Sequence, residues 1–453
     1  RRRRRLGMGG AEAALERLEA GAAGGVDVLV GCYEKHVLGY GPARAGVGAG
    51  AGAEPLRRRF AAEAHQGPVR CLATGGSFAA SGGDDEEVCL FDLARGKAVG
   101  SLGEAGAGVR DLQFHRARGE GEPSHLFAAG AGGCVDVWHL GGRSIRHLRS
   151  LRAHKGGVNS VAVHCDGAVA LSVGRERGLA LWDLRAGRAA FRRKLGAEGL
   201  QVRFSPCGKL FCVRSDGGVA VHAVEDDALR LDLTHDVRVL AMEQPSPDTI
   251  LTGAEDGGLR AFDLRTGADS KPCWEVVGAH AARVKALAAL PGAEILANGL
   301  PGRVASACSQ GVVRVWDTRA GRRQAPSGGK GKETANGGAL LQAKPGVRVT
   351  CMATRDWPAD HETEFEFAAV ELPKDPHAAA PALPEADSGD GEDDDFLGGE
   401  EGEEEAEGAE EVVLSRGSRG QGKRTAGARG GRKKKMKAKD MKRHLANLDR
   451  FDD

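Results

Sequence analysis

The sequence predicts an all-β chain: a seven-bladed β-propeller followed by a disordered, charged C-terminal tail. Three observations carry that prediction. A phrase built on a turn histidine and a closing aromatic-Asp pair recurs between residues 60 and 320. The segments between these marks are short runs of Val, Leu, Phe and Ala separated by Gly, Asp and Ser, which is the pattern of strands and turns rather than helices. After about Leu372 the apolar runs give way to dense charge, first of one sign and then of the other.

The first half of the phrase is a His in a turn before a β-rich run: AHQGPVRCLA from Ala64, AHKGGVNSVAV from Ala153, THDVRVLAM from Thr234 and AHAARVKALAAL from Ala279. The second half is a strand closing in aromatic-Asp: EVCLFDL ending at Leu93, LALWDL at Leu184, LRAFDL at Leu264 and VVRVWDT at Thr318. Weaker copies close at CVDVWHL (Trp138) and VAVHAV (His222). The closing positions Asp92, His139, Asp183, Ala223, Asp263 and Asp317 fall 40 to 54 residues apart. That range brackets the WD40-type period of about 40–45 residues. A lone four-stranded unit cannot bury both its faces, whereas units packed radially cover one another.

Six units are visible and a seventh is split between the ends of the repeat region. Val28–Val30, His36–Tyr40 and Leu56–Ala62 read as three strands with no His-turn strand before them. Val347–Ala353 reads as a first strand with no closing Trp-Asp after it. Together they make one blade that closes a seven-bladed WD40 β-propeller over residues 26–372. A disordered segment, 1–25, precedes it; the opening Arg1–Arg5 lacks an initiator Met and carries no weight.

The resemblance to WD repeats implies a hydrogen-bonded chain in each unit: the turn His, a Ser or Thr, an Asp in the tight turn, and the Trp. The second unit offers His65, Ser81, Asp85 and Phe91; the sixth offers His235, Thr252, Asp256 and Phe262. Phe has no N–H to donate, so both chains lack a member. The fourth has His154, Ser172 and Trp182 with Glu176 where Asp belongs, and the seventh has His280, Ser306 and Trp316 with Gln310 there. These sets resemble Ser/His/Asp triads, but an active site is not copied around a ring, so they read as structural networks.

Composition excludes several classes. The 69 glycines fit a fold of many tight turns, and 41% apolar residues suffice for a core. The ten cysteines include no C-x-x-C pair; Cys207 and Cys212 come closest, and each Cys reads as a small buried hydrophobe. With no secretory h-region and no long uncharged apolar stretch, a soluble intracellular chain with reduced thiols is expected. There is no phosphate loop, zinc-ligand spacing or nucleophile elbow, and the Gly-rich strings lie in low-complexity Gly/Ala segments. The expectation is no catalytic residue, no cofactor, no metal, no membrane and no small-molecule substrate.

More specific pieces are VLVGCYEKHVLGY (Val28–Tyr40), AHKGGVNSVAVHCDGAVALSVGRERGLALWDL (Ala153–Leu184) and VRFSPCG (Val202–Gly208). These resemble the p21-activated-kinase-interacting protein family, over about residues 26–355. The sequence departs from the family at Arg175–Arg177, where a small polar residue, Asp and Lys are usual, and in glycine-rich stretches near Gly46 and Gly328. The resemblance implies a nucleolar protein that works with pre-60S ribosome assembly factors and pre-rRNA processing. It also implies, for animal members, restraint of a p21-activated kinase.

The tail has two parts. The linker 373–413 is acidic, with Glu385–Glu411 its densest stretch; it has too few apolar residues to order itself. The segment 414–453 is basic, and Met441, Leu445 and Leu448 stand at the spacing of a short amphipathic helix. Its densest run is Arg432, Lys433, Lys434, Lys435, Lys437 and Lys439. Three readings of that run stay open: a nuclear-import signal, contact with rRNA phosphates, and a solvated tail. A rival function, substrate receptor of a cullin-type ubiquitin ligase, rests on W-D-x-R, with Asp183, Arg185, Asp317 and Arg319 as the adaptor contact. The pattern is common among WD repeats.

Overall fold

Each short apolar run forms a strand, and a strand covered by neighbours on both faces can be buried along its whole length, its few polar side chains included. Val158–Val163, Val169–Gly174 and Thr249–Ala254 are buried at every position. Outer strands alternate instead, as Arg188–Lys194 does with every second residue exposed. This is the contrast between strands covered on two faces and strands at an edge. The computed structural model describes residues 25–42, 54–104, 107–116, 121–141, 144–266, 271–291, 293–297, 299–320, 323–324 and 339–357.

The strands make seven antiparallel four-stranded blades, each running from an innermost strand outward. Blade 1 is Val349–Trp357, Gly25–Cys32, His36–Pro42 and Glu54–Glu63. Blade 2 is Val69–Gly75, Phe78–Gly83, Glu87–Asp92 and Lys97–Glu104; blade 3 is Val109–His115, His125–Gly130, Cys134–Gly141 and Ser144–Arg152. Blade 4 is Val158–Val163, Val169–Gly174, Gly178–Asp183 and Arg188–Lys194; blade 5 is Gln201–Phe204, Leu210–Ser215, Gly218–Ala223 and Leu229–Thr234. Blade 6 is Val239–Ser246, Thr249–Ala254, Leu259–Asp263 and Trp274–Val277; blade 7 is Val284–Ala289, Arg303–Cys308, Val313–Asp317 and Leu341–Ala343. Each innermost strand touches the innermost strand of the next blade, and that of blade 1 touches those of blades 7 and 2, so the ring is closed.

The closure is the split blade expected from the sequence. Val28 pairs with Thr354 and Val30 with Met352, and the ladder runs on to Gly25 opposite Trp357, four residues past the expected strand end. The core is not one mass but seven wedges, one in each gap between blades. Leu171, Leu179 and Leu181 of blade 4 meet Val202, Phe211 and Val213 of blade 5. Leu29, Val37 and Phe60 of blade 1 meet Val69, Ala79 and Phe91 of blade 2. The other five gaps are filled the same way. Glycine permits the closest approach at Gly82 and Gly253, where a Cβ would meet the next blade's Val109 at 2.5 Å or Val284 at 2.6 Å.

Because the wedge between blades 1 and 2 includes Leu29, which is wholly buried, Leu29→Ala is expected to cost about 3 kcal/mol. Leu229→Ala, at a residue 56% exposed, is expected to change stability by no more than about 0.5 kcal/mol. Urea denaturation of the two variants checks both.

Candidate functional site

Alternate strands run in opposite directions, so the turn histidines and the tight turns between second and third strands share one face of the disc, its upper face. In blade 2 His65 reaches Asp85 through Nδ1 (2.9 Å) and Ser81 Oγ through Nε2 (2.7 Å). A carboxylate only accepts, so Nδ1 carries the proton and Nε2 accepts from the Ser81 hydroxyl. Burial works against the Asp85 charge, but the Gln66 N–H (2.7 Å) and His65 together hold its carboxyl below the usual range. Blade 4 completes the chain: His154 Nδ1 meets Glu176 Oε1 at 2.5 Å, Nε2 meets Ser172 Oγ at 2.7 Å, and Trp182 Nε1–H donates to the same oxygen at 2.8 Å. Glu176, with one more methylene than Asp, still spans the gap.

Blades 7 and 6 depart from this. In blade 7 His280 Nε2 and Trp316 Nε1 both reach Ser306 Oγ at 2.7 Å. Gln310 is exposed, and His280 Nδ1 is buried without a hydrogen-bond partner. Burial, with Arg314 nearby, pushes His280 down to about 3. In blade 6 the expected set does not assemble. His235 Nε2 and Thr252 Oγ1 are buried without partners, and Asp256 is taken up by Arg260 (2.6 Å) and the Gly258 N–H (2.8 Å). Phe262 stands edge-on to His235 with centroids 5.2 Å apart and gives Thr252 no indole N–H to accept.

A second polar system lies in the central channel, a cavity of about 600 Å³ lined by innermost strands of all seven blades. Arg203 of blade 5 forks Asp111 of blade 3 at 2.9 and 3.1 Å, and Ser160 and Val161 N–H of blade 4 bond the same carboxylate at 2.5 and 3.1 Å. Three blades are tied to one carboxylate. Sequence reasoning missed this set, because Asp111 and Arg203 are 92 residues apart and only ring closure brings them together. It also missed the basic residues Arg70, Arg110 and Lys285 that line the channel, for which a signal exists: PVR at Arg70, GVR at Arg110, DVRV at Arg238, RVK at Arg283 and Lys285, and GVRV at Arg348 recur where innermost strands begin.

The W-D-x-R segments lie on the opposite, lower face. Arg319 turns back on Asp317 through its backbone N–H (2.9 Å) and a guanidinium fork (3.0 and 3.0 Å). Arg265 does the same to Asp263 at 3.0, 2.9 and 2.7 Å. Asp183 accepts from the Ala186 N–H at 2.9 Å, and Arg185 is exposed. The basic run Arg432, Lys433, Lys434, Lys435, Lys437 and Lys439 lies outside the described residues. Among the described residues no cluster of His, Cys, Asp and Glu is arranged to hold a metal, and no helix is long and apolar enough to cross a membrane.

The family model of the WD domain, G-beta repeat, matches residues 56–92 and 145–183. Each match starts in the outer strand of one blade and ends with the third strand of the next. Ring, repeat and histidine network together define a WD-repeat β-propeller, a class of protein-interaction scaffolds. The p21-activated protein kinase-interacting protein 1-like of Danio rerio is 24% identical over 327 residues, 72% of this chain and 80% of that protein. The Xenopus laevis protein of the same name is 27% identical over 291 residues, 64% of this chain and 74% of its own. Shk1 kinase-binding protein 15 of Schizosaccharomyces pombe is 28% identical over 267 residues, covering 56% and 69%. Over its repeat region the chain is thus similar to the p21-activated-kinase-interacting WD-repeat proteins.

Ser172→Ala strips a partner from both His154 and Trp182, and is expected to cost about 2–3 kcal/mol; Thr252→Val, which removes an oxygen that has no partner, is expected to be neutral or stabilising. Thermal and chemical denaturation separate the two. For His280 the unfolded chain takes up the proton near pH 6.5 and the folded chain only near 3. Its contribution is therefore complete above pH 6.5 and is lost as pH falls toward 3. Urea midpoints measured from about pH 7.5 to about pH 4.5 are expected to fall, and His280→Gln is expected to flatten that slope.

Proposed function

We propose that the chain is a non-catalytic platform for assembly of the large ribosomal subunit and its pre-rRNA processing, working in the nucleus and nucleolus. The observation that carries this reading is the resemblance of Val28–Tyr40 and Ala153–Leu184 to a family whose fungal members are pre-60S assembly factors. The closed ring suits the role. Seven blades of fixed spacing present loops on two faces and hold several partners in a set geometry, while the fold alone leaves the choice of partner to those loops. The basic run Arg432–Lys439 supports import and contact with rRNA phosphates; it has no aromatic side chain to stack on bases, so such contact is sequence-nonspecific and salt-dependent.

A second reading draws on the names of the relatives, which are kinase-interacting and kinase-binding proteins. On it, the chain binds a p21-activated kinase and restrains it. The two readings are compatible, since different faces can serve different partners. The ligase-receptor reading is weaker, because Arg265 and Arg319 are committed to their own Asp263 and Asp317.

The tagged chain, purified from cells at low salt and run on a sedimentation gradient, is expected to travel with large-subunit precursors and their unprocessed rRNA. A chain that runs light with a kinase, or with a ligase adaptor, and without precursor rRNA would overturn the assembly reading.

A further inference from the structure

Six of the seven innermost strands share one irregularity. Near the upper end of each, the ladder to the second strand skips a residue. The skips fall between Val69 and Cys71, Val109 and Asp111, Val158 and Ser160, Val239 and Ala241, Val284 and Ala286, and opposite Gly31/Cys32 in blade 1. The extra residues are Arg70, Arg110, Asn159, Leu240, Lys285 and Thr350, and all six line the central channel. A bulge of this kind unpairs one residue and re-aims its side chain. The result is a ring of side chains at the upper mouth, and three of the six are cations.

The counter-charges at the mouth do not balance them. Arg70 is held by Asp84 through a fork at 2.7 and 2.5 Å. Arg110 and Lys285 make no ion pair with any described residue, and the Arg110 Nε is buried without a hydrogen-bond partner. Of the carboxylates within electrostatic reach of Arg110, Asp84 is spent on Arg70, and Glu198 accepts from the Asn159 amide at 2.7 Å. Burial, and then Arg283, Arg70 and Arg238, push Lys285 below its usual value against only Glu255; burial, Arg175 and Arg70 do the same to Arg110. Asp111 and Glu243 also line the cavity, but at its mouth the cations stand in excess, and a half-enclosed opening of net positive charge with low-dielectric walls concentrates anions. A buried donor left without an acceptor asks for one from outside.

We propose that the upper mouth of the channel is a binding site for an acidic peptide segment, whose Asp or Glu carboxylates pass the rim and pair with Arg110 and Lys285. A peptide fits better than a nucleic acid. Among the described residues the exposed aromatic of this face, Tyr33, is already covered by the Arg348 guanidinium at 4.1 Å, so it offers no open surface on which a base could stack. The carboxylate chemistry has two sources: a partner protein, or this chain's own acidic run, Glu385–Glu411.

The test is fluorescence anisotropy with a labelled peptide of the sequence Gly391–Glu411. It is titrated into the full chain, into the full chain lacking Glu385–Glu411, and into each of these carrying Arg110→Gln with Lys285→Gln. The expected result is saturable, salt-sensitive binding that weakens about tenfold or more with the double substitution and is retained by Arg110→Lys, which keeps the charge. Binding to the full chain assigns the site to a partner's acidic segment; binding only after the deletion assigns it to the chain's own run. Melting temperatures of the variants are expected to match the parent, because the substitutions remove repulsion and break no pair. The proposal falls if the peptide binds none of the chains, if the double substitution leaves binding unchanged, or if a single-stranded RNA shows mouth-dependent binding that the peptide does not.

Discussion

The contact between one blade's face and the next is the constraint from which the rest follows. A four-stranded sheet with apolar residues on both faces is not stable as a free unit; it needs a neighbour on each side, and only a closed ring gives every blade two. The seven apolar wedges are the physical form of that requirement. It accounts for middle strands buried at every position, such as Val169–Gly174 and Thr249–Ala254, and for glycine at Gly82 and Gly253, where the next blade's first valine comes in. It also explains why blade 1 is shared between residues 25–63 and 349–357: the last wedge cannot form until the two ends of the repeat region meet.

Against that framework the polar networks vary more than their repetition suggests. Blade 4 has the full chain of carboxylate, imidazole, hydroxyl and indole, blade 2 lacks the indole, blade 7 lacks the carboxylate, and blade 6 joins none of its members. Wedges on both sides hold each blade whatever its network does, so the hydrogen bonds fix the turns locally and do not decide whether the ring exists. The Asp111–Ser160–Arg203 set is different in kind, since it crosses three blades and bonds across the channel wall.

Most of the fold was legible because strand period, turn chemistry and repeat length are local properties. The weak closings at Trp138 and His222 still gave the right third strands, as spacing alone located them. What stayed hidden depends on register or closure. Phe262 announced a missing donor, but not that Asp256 would turn to Arg260, four residues on and across the tight turn. A bulge is a property of two paired strands, so the shared aim of Arg70, Arg110 and Lys285 could not be read from one run, although the recurring Val-Arg at strand starts was in plain view. The lower-face Asp-Arg pairs looked like free adaptor contacts because sequence shows spacing and not which way a guanidinium folds.

The clasp in blade 1 has a mechanical consequence. Gly25 stands directly opposite Trp357, so the described chain enters and leaves that sheet at the same end of one antiparallel pair. A pull applied across those two points does not load the rungs together, as it would in strands drawn lengthwise past each other. It loads the terminal rung first, then the next, and peels the pair open from Gly25 toward Cys32. A ring closed by seven wedges is thus a zipper toward traction across Gly25 and Trp357, and any device that grips the chain at both points opens it first at this one seam.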